Sequence, residues 1–448
     1  MPPTFDTAKH LVLTLRRAGH QALLAGGCVR DGLLGRAPKD FDIATSAQPD
    51  QVRALFPRSE AVGAAFGVIL VIEAGAPYEV ATFRQDGSYK DGRRPEWVKF
   101  STAEEDALRR DFTVNGMFLD PETGEILDHV GGREDLAKKV LRCIGSPERR
   151  FYEDKLRVLR AVRFAAELGF ELEYHTWAAA RDFAPQVTQV AWERLAQETG
   201  KLLVCAGRRR GLELMDQAGL LKALLPELEA LKGVAQPPQY HPEGDVWAHT
   251  LLLMEKLEDP GRDLAWAGLL HDTGKPACFS HEPGDRIRFH GHEVKGAEIA
   301  LAVARRFRLS RDSTDRIVAL VRQHLAINQV REMRASTLKR LLRQEIFTDL
   351  LALHRADCLA SHGDLGLHGF CLEKMEEFGK AGAQEALKPP PLLGGTDLAG
   401  MGFKPGPIFR RILDALETEQ LEGRILERQQ ALDFVESHFG GKGKDKIK

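Results

Sequence analysis

The stretch GGCVRDGLLGRAPKDFDIATSA, residues 26–47, follows the short apolar run Ala22 to Ala25. It reads as a strand running into Gly26 and Gly27, a helix-like segment through Val29-Arg30-Asp31, and a second short strand that carries Asp40 and Asp42. Side chains at i and i+2 of a strand share a face, so both carboxylates can enter one pocket. Hard cations that keep several waters and share ligands with phosphate oxygens need carboxylate support of this kind, and a metal pair can stabilise both oxygens of an in-line displacement. Glycine directly after a strand lets backbone N–H groups approach a phosphate, and Arg30 adds a cation at the same place. A lone D-x-D pair is more often a turn or a cap. Beside the glycine pair it points to nucleotidyl transfer on a triphosphate held with divalent cations.

At 448 residues the chain is long enough for two to four domains. With 43% hydrophobic and 29% charged residues it has an ordinary globular composition. No apolar run approaches the roughly 20 residues of a membrane span, and MPPTFDTAKH lacks the basic-then-apolar order of a secretion signal. A cytoplasmic, membrane-free location is therefore expected. The cysteines (Cys28, Cys143, Cys205, Cys278, Cys358, Cys371) are scattered singly, against both a disulfide framework and a zinc knuckle. The net charge of −2 does not mark the whole chain as a polyanion binder. Local basic clusters at Arg208-Arg209-Arg210, Arg305-Arg306 with Arg308, and Lys339-Arg340 with Arg343 are more often solvated helix faces than nucleic-acid contacts.

Residues 1–145 alternate the strand-like runs Ala22 to Ala25, Phe41 to Thr45, Gly67 to Glu73 and Tyr78 to Phe83 with helical segments, which predicts a compact α/β head. A hairpin is expected from Gly116 to Asp120 and Ile126 to Val130, around Pro121-Glu122-Thr123-Gly124. From Glu148 onward the pattern becomes helical: Leu156, Leu159, Val162, Phe164 and Leu168 recur at helical spacing, as do Leu195, Leu202, Leu203, Leu212, Leu220 and Leu224. Pro237-Pro238 and Pro389-Pro390-Pro391 with Gly394-Gly395 punctuate it. The expected division is a head at 1–145, a helical neck at 146–236, a third domain at 237–385, a helical tail at 386–440 and a disordered end at 441–448.

Arg109-Arg110-Asp111 precedes the hairpin. Arginine clamps phosphate bidentately and aspartate accepts from a sugar hydroxyl, so the trio suits a nucleotide as well as an ordinary helix end. Glu153-Asp154-Lys155-Leu156-Arg157 is expected to open the first long helix, with Asp154 and Arg157 on one face. An intrahelical ion pair is the plain alternative. The other is base selection: a carboxylate accepts from the exocyclic amine of cytosine or adenine while a guanidinium donates to the adjacent ring nitrogen, an edge that U and G do not present.

These features together resemble the class II tRNA nucleotidyltransferases, the CCA-adding enzyme and poly(A) polymerase family. The stretches that carry the resemblance are GGCVRD with DFDIATSA, TFRQDGSYKDGRRP, RRDFTVNG, GGREDL, RFYEDKLRVLRAVRFAAELGF and WERLAQE, from about residue 22 to 205. The resemblance implies an α/β nucleotidyltransferase head of the polymerase β type followed by a largely all-α neck, HD domain and tail. It implies that Asp40 and Asp42 are catalytic and bind Mg²⁺, and that Gly26, Gly27 and Arg30 hold the triphosphate of CTP or ATP. Arg109, Arg110 and Asp111 are implied to contact phosphates and ribose, Asp154 with Arg157 to select the base, and Arg160 and Arg163 on the same helix to serve nucleotide binding. Glu79, on the strand Tyr78 to Phe83, is placed near the metals. The loop from Asp86 to Pro95 favours complete CCA addition over CC addition; an A-adding enzyme or poly(A) polymerase shares the same head.

A second chemistry follows. His249, His271-Asp272 and Asp357 resemble the H…HD…D order of HD phosphohydrolases, with His292 and His324 as further ligands. Imidazole and carboxylate ligands on neighbouring helices can hold divalent transition metals and activate water. Cyclic 2′,3′-phosphates, 2′-nucleotides or phosphomonoesters are the substrates the family suggests. The segment GTDLAGMGFKPGPIFRRILDALETEQLEG resembles the tail of HD-containing members, where the helices grip the acceptor stem and TΨC arm of tRNA through shape and phosphates. The expectation is a tRNA nucleotidyltransferase using CTP and ATP, fused to a hydrolase. A phosphohydrolase with a regulatory nucleotide-binding head and a non-catalytic RNA-binding scaffold are the readings of other classes.

Overall fold

The computed structural model describes residues 2–63, 67–87, 98–237, 239, 241–281, 286–379 and 387–440. Residues 88–95 of the loop that bears on CCA against CC addition, Pro238 and the terminal 441–448 fall outside these. The chain forms two compact units, residues 1–229 with 306–309, and residues 230–305 with 310–448.

The first unit begins with helix α1 (Phe5–Arg17), whose N-terminus is capped by the Thr4 side chain accepting from Thr7 N and whose apolar stripe buries Ala8, Leu11, Val12 and Leu15. Strand β1 (Ala22–Ala25) follows, then α2 (Gly27–Leu33), β2 (Asp42–Thr45), α3 (Pro49–Leu55), β3 (Ser59–Gly63), β4 (Val68–Glu73) and β5 (Ala76–Thr82). With β6 (Arg84–Asp86), β7 (Val98–Phe100), α4 (Ala103–Leu108), β8 (Phe118–Leu119) and β9 (Ile126–Leu127) the head is complete. A seven-stranded sheet has the order β3-β4-β5-β2-β1-β8-β9. Only β2 with β5 is parallel within it, and the remaining pairs are antiparallel. All four residues of β1 are buried, which fits a central strand of continuous apolar sequence.

The expected hairpin is present but shorter, with Phe118 opposite Leu127 and Leu119 opposite Ile126. Strand β2 starts at Asp42 rather than Phe41. Strand β3 was not expected, since SEAVG shows neither alternation nor an apolar run.

The helices α5 (Gly132–Lys138), α6 (Pro147–Glu153), α7 (Leu156–Leu168), α8 (Tyr174–Phe183), α9 (Trp192–Val204), α10 (Arg208–Gln217) and α11 (Leu220–Leu224) come next. Leu156, Leu159, Val162, Phe164 and Leu168 are all buried, as their spacing predicts. The expectation that Glu153 to Arg157 opens one helix is corrected: α6 ends at Glu153, Asp154 has extended backbone at φ −147°, and α7 starts at Leu156. The Arg208 cluster is structural. Arg208 is buried and donates to Leu203 O, Arg209 pairs with Glu213, and Arg210 with Glu171.

In the second unit the helices are α12 (Val246–Lys256), α13 (Arg262–Leu270), α14 (His292–Arg306), α15 (Arg311–Gln323), α16 (Ala335–Leu342) and α17 (Phe347–Ala360). Further helices span Gly366–Gly379, Gly395–Gly400, Pro407–Leu421 and Arg428–Phe439. Leu393, Leu398, Phe403, Ile412, Leu416, Ile425, Ala431 and Val435 form one buried cluster of the tail. Lys339, Arg340 and Arg343 bind it through Leu421 O and Glu417, so this basic cluster also serves packing. Among the described residues no helix is long and apolar enough to cross a membrane.

Candidate functional site

In the first unit Asp42 lies opposite Ala25 on β1. The parallel register of β2 with β5 joins Ile43 to Val80, and one step back brings Asp42 to Glu79. Asp40 is exposed ahead of the strand, with Phe41 turned into the core between the two acids. Only Asp42 belongs to the strand, a correction to the expected acid pair on one ribbon. The alternation nevertheless persists through Asp40, and its charge acts on Asp42. Burial, then the like charges of Glu79 and Asp40, push Asp42 up to about 7 against the pull of Arg110. The like charge that Glu79 and Asp40 bring to Asp42 is the kind that a hard divalent cation would relieve.

Gly26 has φ +73°, and a Cβ there would stand 3.0 Å from Arg110 Nη1 and 3.8 Å from Asp42 Oδ2. At this φ the strand-to-helix turn calls for glycine, and Arg110 occupies the space beside it. Gly27 is the first residue of α2. Arg30 is buried on the same helix, with Nε 2.8 Å from Asp31 Oδ1 and Nη1 donating to Asn115 Oδ1 at 2.7 Å. Asn115 Nδ2 donates in turn to Asp111 Oδ1 at 3.2 Å, and Arg160 grips Asp111 Oδ2 through Nε at 2.9 Å and Nη2 at 2.6 Å.

Asp111 therefore turns from its neighbours in sequence, while Arg109 and Arg110 both face buried Asp106, at 2.7 and 3.0 Å. Burial opposes ionisation of Asp111, but the charge and hydrogen bonds of Arg160, with help from Arg157 and Asn115, outweigh it and bring the carboxyl down to about 2. Arg163 is buried with its guanidinium on Glu198 at 2.7 Å and Glu167 at 2.5 Å, stacked 3.8 Å from the Phe164 centroid.

Asp154 and Arg157 do not pair with each other. Asp154 receives Arg194 of α9 at 2.6 and 3.2 Å. Arg157 donates to Glu153 at 2.9 Å and to Arg109 O at 3.2 Å. Glu153 is buried and also accepts from Arg149 and Arg150. Sequence reasoning missed Glu153, Arg194, Asp106 and Asn115: the contacts of Arg194 with Asp154 and of Asn115 with Arg30 arise only in the fold, whereas Asp106 and Glu153 had a signal in arginines three and four residues away.

In the second unit His249 on α12, His271 capping α13 with Asp272 next to it, His292 opening α14, His324 capping α15 and Asp357 on α17 come together. Nδ1 of His271, His292 and His324 lies 2.8, 2.8 and 2.7 Å from the carbonyl oxygens of Gly268, Phe289 and Val321. His249 Nδ1 is 2.7 Å from Glu243 Oε1. These oxygens accept, so each Nδ1 is taken up as a donor and each Nε2 is turned toward the centre.

The Nε2 atoms of His271 and His249 face Asp272 Oδ2 at 3.1 and 3.8 Å. Those of His292 and His324 face Asp272 Oδ1 at 3.4 and 4.0 Å and approach each other to 3.2 Å. Asp357 Oδ1 stands 3.0 Å from His249 Nε2. His249 Nε2 and His271 Nε2 are buried without a satisfactory hydrogen bond, beside Asp272 Oδ2. Orphaned imidazole nitrogens converging on a carboxylate in this way fit a borderline divalent transition ion.

The surrounding charge completes the centre. Burial opposes ionisation of Asp272, yet the charges of His271 and Lys275 hold its carboxyl well below the usual range. Lys275 Nζ lies 2.7 Å from Asp272 Oδ2 and donates to Gln236 Oε1 at 2.7 Å. Burial and His271 press His324 down to about 4. A cavity of about 560 Å³ adjoins the centre, lined by Asp272, His292 and Asp357 and by the cations Lys275, Arg286 and Arg288. Glu243, Lys275 and Gln236 were not singled out in the sequence. Lys275 had a signal in its adjacency to His271-Asp272, whereas Glu243 sits in a Pro-Glu-Gly loop with no periodic pattern.

Family profiles match residues 22–142 as a poly A polymerase head domain, 169–232 as a probable RNA and SrmB-binding site of polymerase A, and 244–361 as an HD domain. The CCA-adding enzyme of Geobacillus stearothermophilus is 45% identical over 229 residues, a match that spans 51% of this chain and only 56% of that relative. The CCA-adding enzyme of Streptococcus gordonii is 32% identical over 439 residues, 96% of this chain and 97% of the relative. The solved Bacillus stearothermophilus CCA-adding enzyme in complex with CTP superposes with a TM-score of 0.74 at 28% identity, covering 98% of this chain and all of that one. Fold, paired centres and full-length similarity agree: the chain belongs to the CCA-adding enzyme family.

Proposed function

We propose that the chain is a template-independent nucleotidyltransferase that completes the 3′ end of tRNA with CCA, using CTP and ATP and releasing pyrophosphate, and that its second unit is a metal-dependent phosphohydrolase. The cytoplasm, where uncharged tRNA and both nucleotides meet, is the setting this requires. The observation that carries the reading is the register that gathers Asp42 and Glu79 beside Asp40, Gly26 and Arg110. Mg²⁺ at Asp40 and Asp42 would supply positive charge to the reacting phosphate and lower the barrier to attack by the RNA 3′-hydroxyl.

The residues of the chain do the positioning. Gly26 and Gly27 offer close backbone approach to the triphosphate, and Arg30, Arg109 and Arg110 offer guanidinium groups already aligned by Asp31, Asn115 and Asp106. Asp111 suits a ribose hydroxyl, with Arg160 and Arg163 bracing it and its neighbour Glu198. Arg194 occupies part of Asp154, but a carboxylate has about four acceptor sites, which leaves capacity for the amine of cytosine or adenine. Arg157, held by Glu153, supplies the adjacent donor. In the second unit His249, His271, Asp272, His292, His324 and Asp357 would hold the transition ion, which supplies an activated water when bound. The cationic wall of Lys275, Arg286 and Arg288 fits a phosphate ester. The tRNA acceptor stem and TΨC arm are the proposed partner of the helical segments.

The test is incubation with tRNA transcripts ending at the discriminator base, at C or at CC, with each nucleotide supplied alone. CMP added to the first two and AMP to the third supports the reading. AMP on CC ends alone replaces it with an A-adding enzyme, and no incorporation on any end overturns it.

A further inference from the structure

Among the imidazoles that converge on Asp272, three are held by main-chain carbonyls that lie three residues earlier on the same turn, Gly268, Phe289 and Val321. No side-chain substitution can remove those acceptors. His249 differs, because its Nδ1 is held by a side chain, Glu243, from the loop ahead of α12. Both side chains are buried, 0% and 6% exposed. Glu243 Oε1 also lies 2.9 Å from Nδ1 of His241, a residue of the cavity wall, and Glu243 Oε2 is buried without a hydrogen bond. A buried carboxylate so placed has no solvent to satisfy it, and its firm partners are these two imidazoles.

An acceptor on the far nitrogen of a ligating histidine fixes its tautomer and ring orientation, and a charged acceptor also makes the imidazole a stronger donor. We propose that Glu243 is the positioning residue of the HD centre: it holds His249 with Nε2 toward the ion and sets ion affinity from outside the ligand set. The proposal rests on the hydrolase reading of that centre. His241, Glu243 and His249 could alternatively be ligands of an ion of their own, since their donor atoms lie within mutual reach. Both imidazoles, however, spend Nδ1 on the same carboxylate oxygen, a hydrogen-bonding pattern rather than a coordinating one.

The experiment uses the full chain with Co²⁺ as probe, measuring its dissociation constant by chelator competition and its visible absorption spectrum. Thermal unfolding of the full chain serves as the control for folding of the second unit, and nucleotide incorporation on tRNA as the control for the first. Glu243→Ala is expected to weaken Co²⁺ binding about 10–100-fold and to change the spectrum. Glu243→Gln keeps an acceptor for Nδ1–H without the charge, so it is expected to fall between Glu243→Ala and wild type. His241→Ala leaves Glu243 wholly to His249 and is expected to bind as wild type does. Should Glu243→Ala fail to fold, Glu243→Gln decides: weaker binding with an altered spectrum supports the proposal, and wild-type values overturn it. Loss of binding in His241→Ala as large as in Glu243→Ala also overturns it, in favour of a site made by the trio. A wild-type chain that binds no Co²⁺ overturns the hydrolase reading itself, and this proposal with it.

Discussion

Single residues decide the chemistry of the head. At Gly26 the backbone is left-handed, at φ +73°, and the space a methyl would take is already reached by Arg110 Nη1. Gly26→Ala is therefore expected to cost about 1–2 kcal/mol in urea denaturation and to raise KM for CTP, because Arg110 must give way. Asp111 offers a pH test with a defined sign. Its folded-state carboxyl sits near 2 and its ordinary value is 3.8, so the bond to Arg160 contributes stability that is full above about 4 and is lost as the pH falls through 2. That contribution is on the order of 2 kcal/mol. Asp111→Asn should remove it, so the stability gap between wild type and variant, measured by denaturant midpoints, should narrow from pH 5 to pH 2. A gap that stays constant across that range would refute the assignment. Asp40 and Asp42 were legible because i and i+2 alternation is a local rule. The pairing of Asp154 with Arg194, 40 positions away, was not, because no local periodicity encodes a partner on another helix.

At the scale of elements, the HD turn and α14 touch backbone to backbone. A Cβ on Gly274 would stand 2.1 Å from His292 O and 2.6 Å from Gly296 N, and neither main-chain atom can yield without moving the helix that carries His292. Gly274→Ala is expected to destabilise the second unit by about 1–3 kcal/mol or more. It should also weaken Co²⁺ binding at least about tenfold, as read by thermal unfolding and by titration. Wild-type Co²⁺ affinity in a folded variant would show that this contact does not place His292. That His249, His271-Asp272 and Asp357 come together was legible from their order, because residue type and sequence order survive without knowledge of packing. The helix break at Asp154 was not legible. EDKLR suits a helix interior by propensity, and what accompanies the break is Asp154, whose carboxylate accepts from Leu156 N and holds Arg194 of α9. The basic clusters were ambiguous for the same reason: Arg208 and Arg340 look alike in sequence, yet one donates to the C-terminal carbonyls of a helix and the other to Glu417.

For the whole molecule, the two centres draw on separate sets of residues, each internal to one compact unit. The proposed nucleotidyl transfer draws on the carboxylates of β2 and β5 and on Arg110, and none of these contributes to the centre around Asp272. The two activities should therefore be separable by substitution in the intact chain. Asp42→Asn removes a charge from the carboxylate set, and several kcal/mol of transition-state stabilisation corresponds to a loss of at least about 100-fold in CMP and AMP incorporation. Co²⁺ affinity and hydrolysis of a small phosphate ester should stay at wild-type values in that variant. His292→Ala should do the reverse, lowering Co²⁺ affinity and ester hydrolysis while CCA addition proceeds at the wild-type rate. Parallel assays of both variants on tRNA ending at the discriminator base and on a 2′,3′-cyclic nucleotide measure this directly. If His292→Ala slowed nucleotide incorporation as much as hydrolysis, ion binding in one unit would govern catalysis in the other, and the independence inferred from their separate residues would be wrong.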